Sequence, residues 1–259
     1  MQNSDIRIRI AEIVRSSKEG HIPSSYSVVD IISILYRQFL RFDSGNPHSS
    51  SRDYFVLSKG HAAAALFAVM ESVGLISREV VDRYALTGSQ LGGHPDRTKV
   101  AFVEASTGSL GHGLPMAVGM AIGLKIKGKT NRVVVLIGDG ESQEGTTWEA
   151  ALVAPNRNLG NLCVVVDWNQ SGMQLNPIDN PVEKWRAFGW DVLEVDGHSE
   201  TDLGSAFESF FKSAKSRPTA LVARTVKGKG VSFLEGHGSW HHKIPSDAEI
   251  QQIREELDA

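Results

Sequence analysis

The spacing of apolar and polar positions changes along the chain, from a helical period at the start to the pattern of buried strands further on. Residues 6–17 and 27–39 carry apolar side chains about every third or fourth position, and residues 62–73 repeat this spacing after a Gly-His pair. Residues 116–126 are small and apolar, which is also compatible with a helix. The pattern predicts four helices.

Two unbroken apolar runs follow, at residues 133–137 and 162–166. Such runs are typical of parallel strands that are buried on both faces. A helical stretch near residues 146–154 lies between them, so this segment is predicted to be a βαβ unit.

The alternation continues to the end of the chain, with two β-rich runs, a helix between them and a polar helix last: residues 190–195, 220–226, 201–213 and 247–257. This order predicts a single α/β domain over residues 1–259, with a doubly wound, mostly parallel sheet and helices on both faces. Ligands of such folds bind at the carboxyl ends of the strands, so the loops after Ile137 and Val166 are the predicted site.

Composition excludes several classes of protein. Of 259 residues, 41% are hydrophobic and 22% are charged, an ordinary globular balance. A net charge of -3 predicts no nucleic-acid partner. The single cysteine, Cys163, excludes an internal disulfide and is predicted to be a buried core thiol. Residues 1–15 lack the apolar core of a signal peptide, and residues 28–40 are too short and too polar to cross a membrane, so we expect a cytoplasmic protein.

Both predicted site loops carry oxygen ligands. The first contains Gly138-Asp139-Gly140, where glycines allow the backbone to approach a bound anion, and the second contains Asp167 and Asn169. Asp139 and Asn169 are thirty residues apart but follow consecutive strands. With a backbone carbonyl and diphosphate oxygens, they could complete the octahedron that Mg²⁺ requires. Taken singly, a Gly-Asp-Gly is usually a turn and an asparagine after a strand is usually a cap; their combination favours a site.

The segment from Gly138 to Asn169 resembles the thiamin diphosphate fingerprint, and nearly the whole chain resembles the N-terminal, thiamin diphosphate-binding portion of transketolase. The matching segments occur in the order of that family: Glu19-Gly20-His21, Val56-Leu57-Ser58-Lys59-Gly60-His61, Gly92-Gly93-His94-Pro95, Ser106-Thr107-Gly108-Ser109-Leu110-Gly111, Lys227-Gly228-Lys229-Gly230 and Trp240-His241.

The resemblance implies a role for each matching position. Magnesium, or calcium or manganese in its place, would be held by Asp139, Asn169 and the carbonyl of Ser171. The cofactor would be bound by the residues that match its contacts in the family: His61, Gly108, Leu110, Gly140, Glu144, Asn169 and His241. Three histidines would line the donor channel and move protons during catalysis: His21, His94 and His241.

Histidine suits proton transfer because its ordinary pKa is about 6.5. Glycines adjoin His21, His61, His94 and His112, which predicts loop tips rather than a core face for these four residues. His198, in the phrase Val-Asp-Gly-His, is predicted to stabilise a turn instead.

The chain also departs from the family pattern. Ile22-Pro23-Ser24-Ser25 follows His21 where glycines are usual, and these side chains are expected to reshape the donor channel. His112 replaces a common glutamine, and His242 replaces a common glycine. No departure removes a cofactor ligand, so the consequence falls on the choice of substrate.

The resemblance ends without the pyrimidine-binding and C-terminal domains of full-length transketolases. We therefore expect this chain to be the N-terminal subunit of a split transketolase, which pairs with a C-terminal subunit in an α2β2 heterotetramer. The reaction would move a two-carbon ketol unit from a ketose or ketose phosphate to an aldose. Two alternatives remain at this point: the α chain of a 2-oxo-acid dehydrogenase, and a catalytically silent transketolase-like partner protein.

Overall fold

The structure is a computed structural model, and it describes residues 1–174, 176–212, 216–236, 238, 240 and 242–258. In this part of the chain, five strands form one fully parallel sheet with the order β1-β2-β3-β5-β4. The strands are β1 Tyr54–Leu57, β2 Val133–Gly138, β3 Leu162–Trp168, β4 Asp191–Asp196 and β5 Thr219–Arg224.

Helices connect and cover these strands. They are α1 Asn3–Ser17, α2 Ile22–Tyr26, α3 Val29–Ile34, α4 Ala63–Ser72, α5 Arg78–Val81, α6 Gly113–Ile126, α7 Gly145–Asn156, α8 Pro181–Ala187, α9 Glu200–Lys212 and α10 Asp247–Asp258. Short 3₁₀ turns follow three of the strands, at Gly60–Ala62, Glu141–Gln143 and Gly172–Gln174. None of the helices within the described ranges combines the length and the apolar character needed to cross a membrane.

Alternate residues of the central strands enter two separate cores. On one face, Val134 and Leu136 of β2 pack in the cluster that holds α1, α3, α4 and α9. On the other face, Val133 and Val135 pack in the cluster that holds α6 and α7. Because successive side chains of a strand point to opposite faces, an unbroken apolar run is what a sheet covered on both faces requires.

The predicted fold class is confirmed: the sheet is parallel and helices cover both faces. Cys163 is fully buried, as predicted. The prediction of one helix over residues 27–39 was wrong in detail, because α3 ends at Ile34 and Leu35–Phe39 winds as a π-helix. The sequence pattern did not reveal four shorter elements: β1, α2, α5 and α8.

Candidate functional site

A cavity of about 510 Å³ lies at the carboxyl ends of the strands. Strand order explains its composition, because the residues that follow β1, β2, β3 and β5 all reach the same edge of the sheet. Its lining includes Lys59 and His61 after β1, Asp139, Gly140 and Glu144 after β2, Asn169 and Ser171 after β3, and Lys227 after β5.

The loops after β2 and β3 touch at Gly172. A β-carbon at this position would lie 2.8 Å from the Cα atom of Gly140 and 2.9 Å from its nitrogen, so only glycine permits the approach. The N–H of Gly172 donates to Asp139 Oδ2 at 3.2 Å, and the N–H of Gly140 donates to Asp139 Oδ1 at 2.7 Å. Asn169 Oδ1 accepts from the N–H of Ser171 at 3.1 Å. The two loops therefore form one unit around the Asp139 carboxylate.

The Asp139 carboxylate is 4% exposed and carries no cationic partner at hydrogen-bond distance among the described residues. Burial raises its pKa above the ordinary value for aspartate, and the negative charge of Asp167 adds to the rise. Both effects would be reversed by a bound cation, because a cation stabilises the ionised carboxylate.

The donor set at Asp139 fits Mg²⁺ in the presence of a diphosphate. Carboxylate, amide and carbonyl oxygens are hard ligands, and Asp139, Asn169 and Ser171 offer one of each kind. Across the described ranges, His, Cys, Asp and Glu side chains nowhere converge in threes to hold a metal by themselves. A cation at this edge would thus need further oxygens, such as those of a diphosphate.

Beside Asp139, Asp167 forms a buried ion pair with Lys59. The Lys59 side chain is 2% exposed and the Asp167 side chain is 0% exposed. Asp167 Oδ2 also accepts from Ser27 Oγ at 2.8 Å and from Asn169 Nδ2 at 3.0 Å. The amide of Asn169 is thereby oriented with its nitrogen on Asp167 and its oxygen toward Ser171.

Glu141 joins the loop after β2 to residues 107–113. Its Oε1 accepts from Ser58 Oγ and from the N–H of Gly111, the latter at 2.8 Å. Ser58 Oγ in turn accepts from the N–H of Gly113 at 3.0 Å. Burial raises the pKa of Glu141 above the ordinary value for glutamate, while these hydrogen bonds oppose the rise. Glu141 therefore connects the loop after β2 to Ser58 and to the backbone at Gly111.

The motif glycines around residues 107–111 are places of close approach. A β-carbon on Gly108 would lie 2.9 Å from Cδ2 of His94, and one on Gly60 would lie 2.8 Å from the nitrogen of Gly108. A β-carbon on Gly111 would lie 2.6 Å from Cβ of Glu144. Four segments that are distant in sequence thus meet at one wall of the site.

Among the described residues, His61 lines the cavity and His21 packs against His61. The rings of His21 and His61 lie 5.3 Å apart, and those of His21 and His242 lie 4.7 Å apart. His94 packs on Gly108. The structure therefore brings together His21, His61 and His94 with the cofactor and metal candidates, whereas His241 lies outside the described residues.

Two departures from the family pattern also lie near the cavity. Ile22, Ser24 and Ser25 form part of α2 with buried side chains, and Ser24 lines the cavity. His112 is the N-cap residue of α6, and its ring Nδ1 lies 3.0 Å from the carbonyl oxygen of Leu110.

Sequence reasoning assigned no role to Lys227 or Lys59, which also line the cavity, and expected Ser24 only to shape the donor channel. Burial lowers the pKa of Lys227, and the positive charge of Lys59 lowers it further. Lys227 stands in the quoted Lys-Gly-Lys-Gly motif, so the available signal was a lysine between a strand and a glycine. Such lysines are usually solvated, and only the meeting of strand ends identifies this one.

The fold and the site define an α/β protein with a polar cleft at the carboxyl ends of its parallel strands. The chain belongs to the transketolase family: residues 2–259 match the family described as "Transketolase, thiamine diphosphate binding domain". The resemblance stated from the motifs is thus confirmed, and the family favours a transketolase over a 2-oxo-acid dehydrogenase.

Two relatives have lengths similar to this chain, and both are named as transketolase subunits. A subunit of the apulose-4-phosphate transketolase of Phocaeicola vulgatus is 38% identical over 99% of this chain and 92% of its own length. The SqwG subunit of the 6-deoxy-6-sulfo-D-fructose transketolase of Clostridium sp. is 38% identical over 86% of this chain and 82% of its own length.

A solved transketolase from Campylobacter jejuni has the same fold, with a TM-score of 0.91 and 29% identity. Its alignment covers 99% of this chain but 42% of the solved chain. This chain therefore spans less than half the length of that transketolase.

Proposed function

We propose that this chain is the N-terminal subunit of a thiamin diphosphate- and magnesium-dependent transketolase. The observation that carries the proposal is the cavity at the strand ends. There the Asp139 carboxylate, which has no cation at hydrogen-bond distance among the described residues, lies near lysine and histidine side chains. A diphosphate would pair with the lysine and histidine side chains of this surface, and a divalent cation would pair with its carboxylate. The family to which the chain belongs supplies the cofactor class.

The cation would be held by Asp139, Asn169 Oδ1 and the carbonyl of Ser171. The diphosphate would be held by His61, Lys227 and the N–H of Gly140, with Gly108, Leu110 and Glu144 along the cofactor's wall. A bound thiamin diphosphate supplies a nucleophilic carbon and an electron sink for cleavage of the bond beside a ketose carbonyl.

The residues of this chain would then bind, orient and move protons. His21, His94 and His241 would exchange protons at their ring nitrogens with the hydroxyl groups of the sugar. The Lys59–Asp167 pair would hold Asn169 in its ligand orientation. Two relatives act, by name, on different sugars, apulose 4-phosphate and 6-deoxy-6-sulfo-D-fructose, so the proposed substrate class is sugars or sugar phosphates without a named donor.

We further propose that the pyrimidine-binding and C-terminal domains belong to a separate partner chain in an α2β2 assembly. Relatives of similar length are named as single subunits of a transketolase, which supports a partner subunit for this chain. A cofactor shared between the chains would make the isolated subunit inactive.

The test is reconstitution. The purified chain is assayed for ketol transfer with thiamin diphosphate and Mg²⁺, alone and after co-expression with a separately encoded chain that carries a pyrimidine-binding domain. We expect activity only for the pair. Ordinary enzymatic turnover by the chain alone would refute the split site. Cofactor binding without activity in any pair would favour a catalytically silent relative.

A further inference from the structure

His198 lies outside the cavity, yet both nitrogens of its ring are engaged. Its Nδ1 lies 2.7 Å from Asp30 Oδ2, and its Nε2 accepts from the N–H of Val226 at 2.8 Å. Its own backbone N–H donates to Asp196 Oδ1 at 2.8 Å, which is the turn that the sequence predicted. The ring therefore does more than stabilise that turn, because it joins α3 to the segment after β5.

These contacts define the hydrogen-bonding role of each ring nitrogen. The Val226 N–H can only donate, so Nε2 carries no proton in this arrangement, and the proton on Nδ1 points at the Asp30 carboxylate. An imidazolium would place a second N–H against the Val226 amide. The hydrogen bond to Val226 thus requires one tautomer of neutral histidine.

Asp30 is a fixed anchor for this tautomer. Its carboxylate accepts from Arg7 at 2.6 Å and from Asn3 Nδ2 at 2.7 Å. Burial opposes its ionisation, but the hydrogen bond from His198 and the charge of Arg7 lower the pKa of Asp30 to about 2. The carboxylate consequently remains an acceptor over the whole physiological range.

The anchored amide adjoins a residue of the proposed diphosphate site. Val226 immediately precedes Lys227, which lines the cavity. On one side Thr225 donates to Asp167, and on the other the N–H of Gly228 donates to the carbonyl of Pro23 at 3.0 Å. Three hydrogen bonds, at residues 225, 226 and 228, therefore hold the segment around Lys227.

We propose that His198 is a positioning residue that holds the Val226 amide and thereby directs Lys227 toward the diphosphate. The proposal rests on the proposed function, because it assigns Lys227 to the cofactor. It predicts that the acceptor at Nε2 matters more for cofactor affinity than the donor at Nδ1.

Two amide substitutions separate these roles. In His198→Asn, the side-chain amide can occupy the place of Nδ1 and donate to Asp30, but no atom replaces Nε2. In His198→Gln, the side-chain oxygen can reach the place of Nε2 and accept from Val226. Isothermal titration of the full chain with thiamin diphosphate and Mg²⁺ measures the consequence.

We expect His198→Asn to weaken binding roughly fivefold to tenfold, the loss of one hydrogen bond. His198→Gln should stay within about twofold of the unsubstituted chain. In a Lys227→Met background, His198→Asn should weaken binding no further. Equal losses in both variants, no loss in either, or the same loss without Lys227 would overturn the proposal.

Amide hydrogen exchange at Val226, measured without cofactor, gives a second readout. His198→Asn should speed this exchange about tenfold and His198→Gln should not. If the unsubstituted chain binds no thiamin diphosphate even together with its partner subunit, the proposed function fails on its own. The exchange then decides the inference: faster exchange in His198→Asn alone supports the tie to Val226, and unchanged exchange overturns it.

Discussion

Strands β2 and β3 end side by side, and each is followed or completed by a buried aspartate with different surroundings. Asp167 has a lysine partner and accepts from Ser27, Thr225 and Asn169. Asp139 accepts only from two backbone amides among the described residues, and burial raises its pKa. Among the described residues, Asp167 has a cationic side chain at hydrogen-bond distance, whereas Asp139 has none.

The difference separates an aspartate that supports the site from an aspartate that is proposed to bind a ligand. A buried charge without a direct counter-charge is unfavourable, so a ligand that supplies a positive charge would stabilise it. Asp167 orients Asn169, whereas Asp139 at the cavity wall is the carboxylate that we propose to bind a cation. Four substitutions test this contrast.

The largest effect is expected when the compensated pair is broken. Lys59→Met leaves the Asp167 carboxylate buried without its counter-charge, which should reduce the free energy of unfolding by about 3–5 kcal/mol. Urea unfolding of the chain without cofactor measures the loss. Because a neutral pair avoids the unpaired charge, Lys59→Met combined with Asp167→Asn should lose less than Lys59→Met alone. If Lys59→Met reduced the free energy of unfolding by less than about 1 kcal/mol, the buried Asp167 carboxylate would not depend on Lys59 for its counter-charge.

Removing the Asp139 carboxylate should weaken ligand binding rather than reduce the stability of the fold. Asp139→Ala should weaken Mg²⁺-dependent binding of thiamin diphosphate at least about 100-fold, because a direct cation ligand is lost. Isothermal titration with and without Mg²⁺ measures this change. Asp202→Ala, on the exposed surface of α9, is the matched control and should bind normally. Undiminished Mg²⁺-dependent binding by Asp139→Ala would exclude Asp139 from the cation site.

The contrast also explains what the sequence could reveal. The runs that became β2 and β3 are apolar throughout, so their strand character and the loops after them were predictable. Asp139 and Asn169 could be placed together because consecutive strand ends meet at one edge. β1 has only four residues and is flanked by polar ones, so no period marks it.

Long-range compensation was not predictable. Lys59 and Asp167 are separated by 108 positions, and His198 and Asp30 by 168. Nothing in the local pattern of any of these residues indicates its partner, because an isolated charged residue is normally solvated. The sequence therefore indicated which residues could bind a ligand, but not which residues hold them in place.

A smaller effect is expected from separating the two loops. Gly172→Ala places a methyl group within 3 Å of Gly140, so the loop after β3 must move away from Asp139. We expect thiamin diphosphate to bind about tenfold more weakly in the presence of Mg²⁺, the effect of displaced ligands. Gly204→Ala is the control, because its β-carbon would make only an ordinary contact with Ile34 at 3.7 Å. Equal binding by both variants would show that the loops need not touch.

The smallest expected effect is a difference in how the free energy of unfolding depends on pH. It is measured between Asp139→Asn and the unsubstituted chain, both without metal or cofactor. The pKa of Asp139 is raised in the folded state, so its contribution to stability is present below the unfolded-state pKa and is lost as pH rises through the folded-state value. Lowering the pH from 7 toward about 4 should therefore stabilise the unsubstituted chain relative to Asp139→Asn, by at most about 1 kcal/mol. Urea unfolding at several pH values measures the difference, in which the titration of groups that do not interact with Asp139 cancels. Asp202→Asn, on the exposed surface of α9, is the matched control for the substitution itself. A relative stability that falls on acidification would mean that Asp139 is already compensated within the fold, and the contrast with Asp167 would disappear.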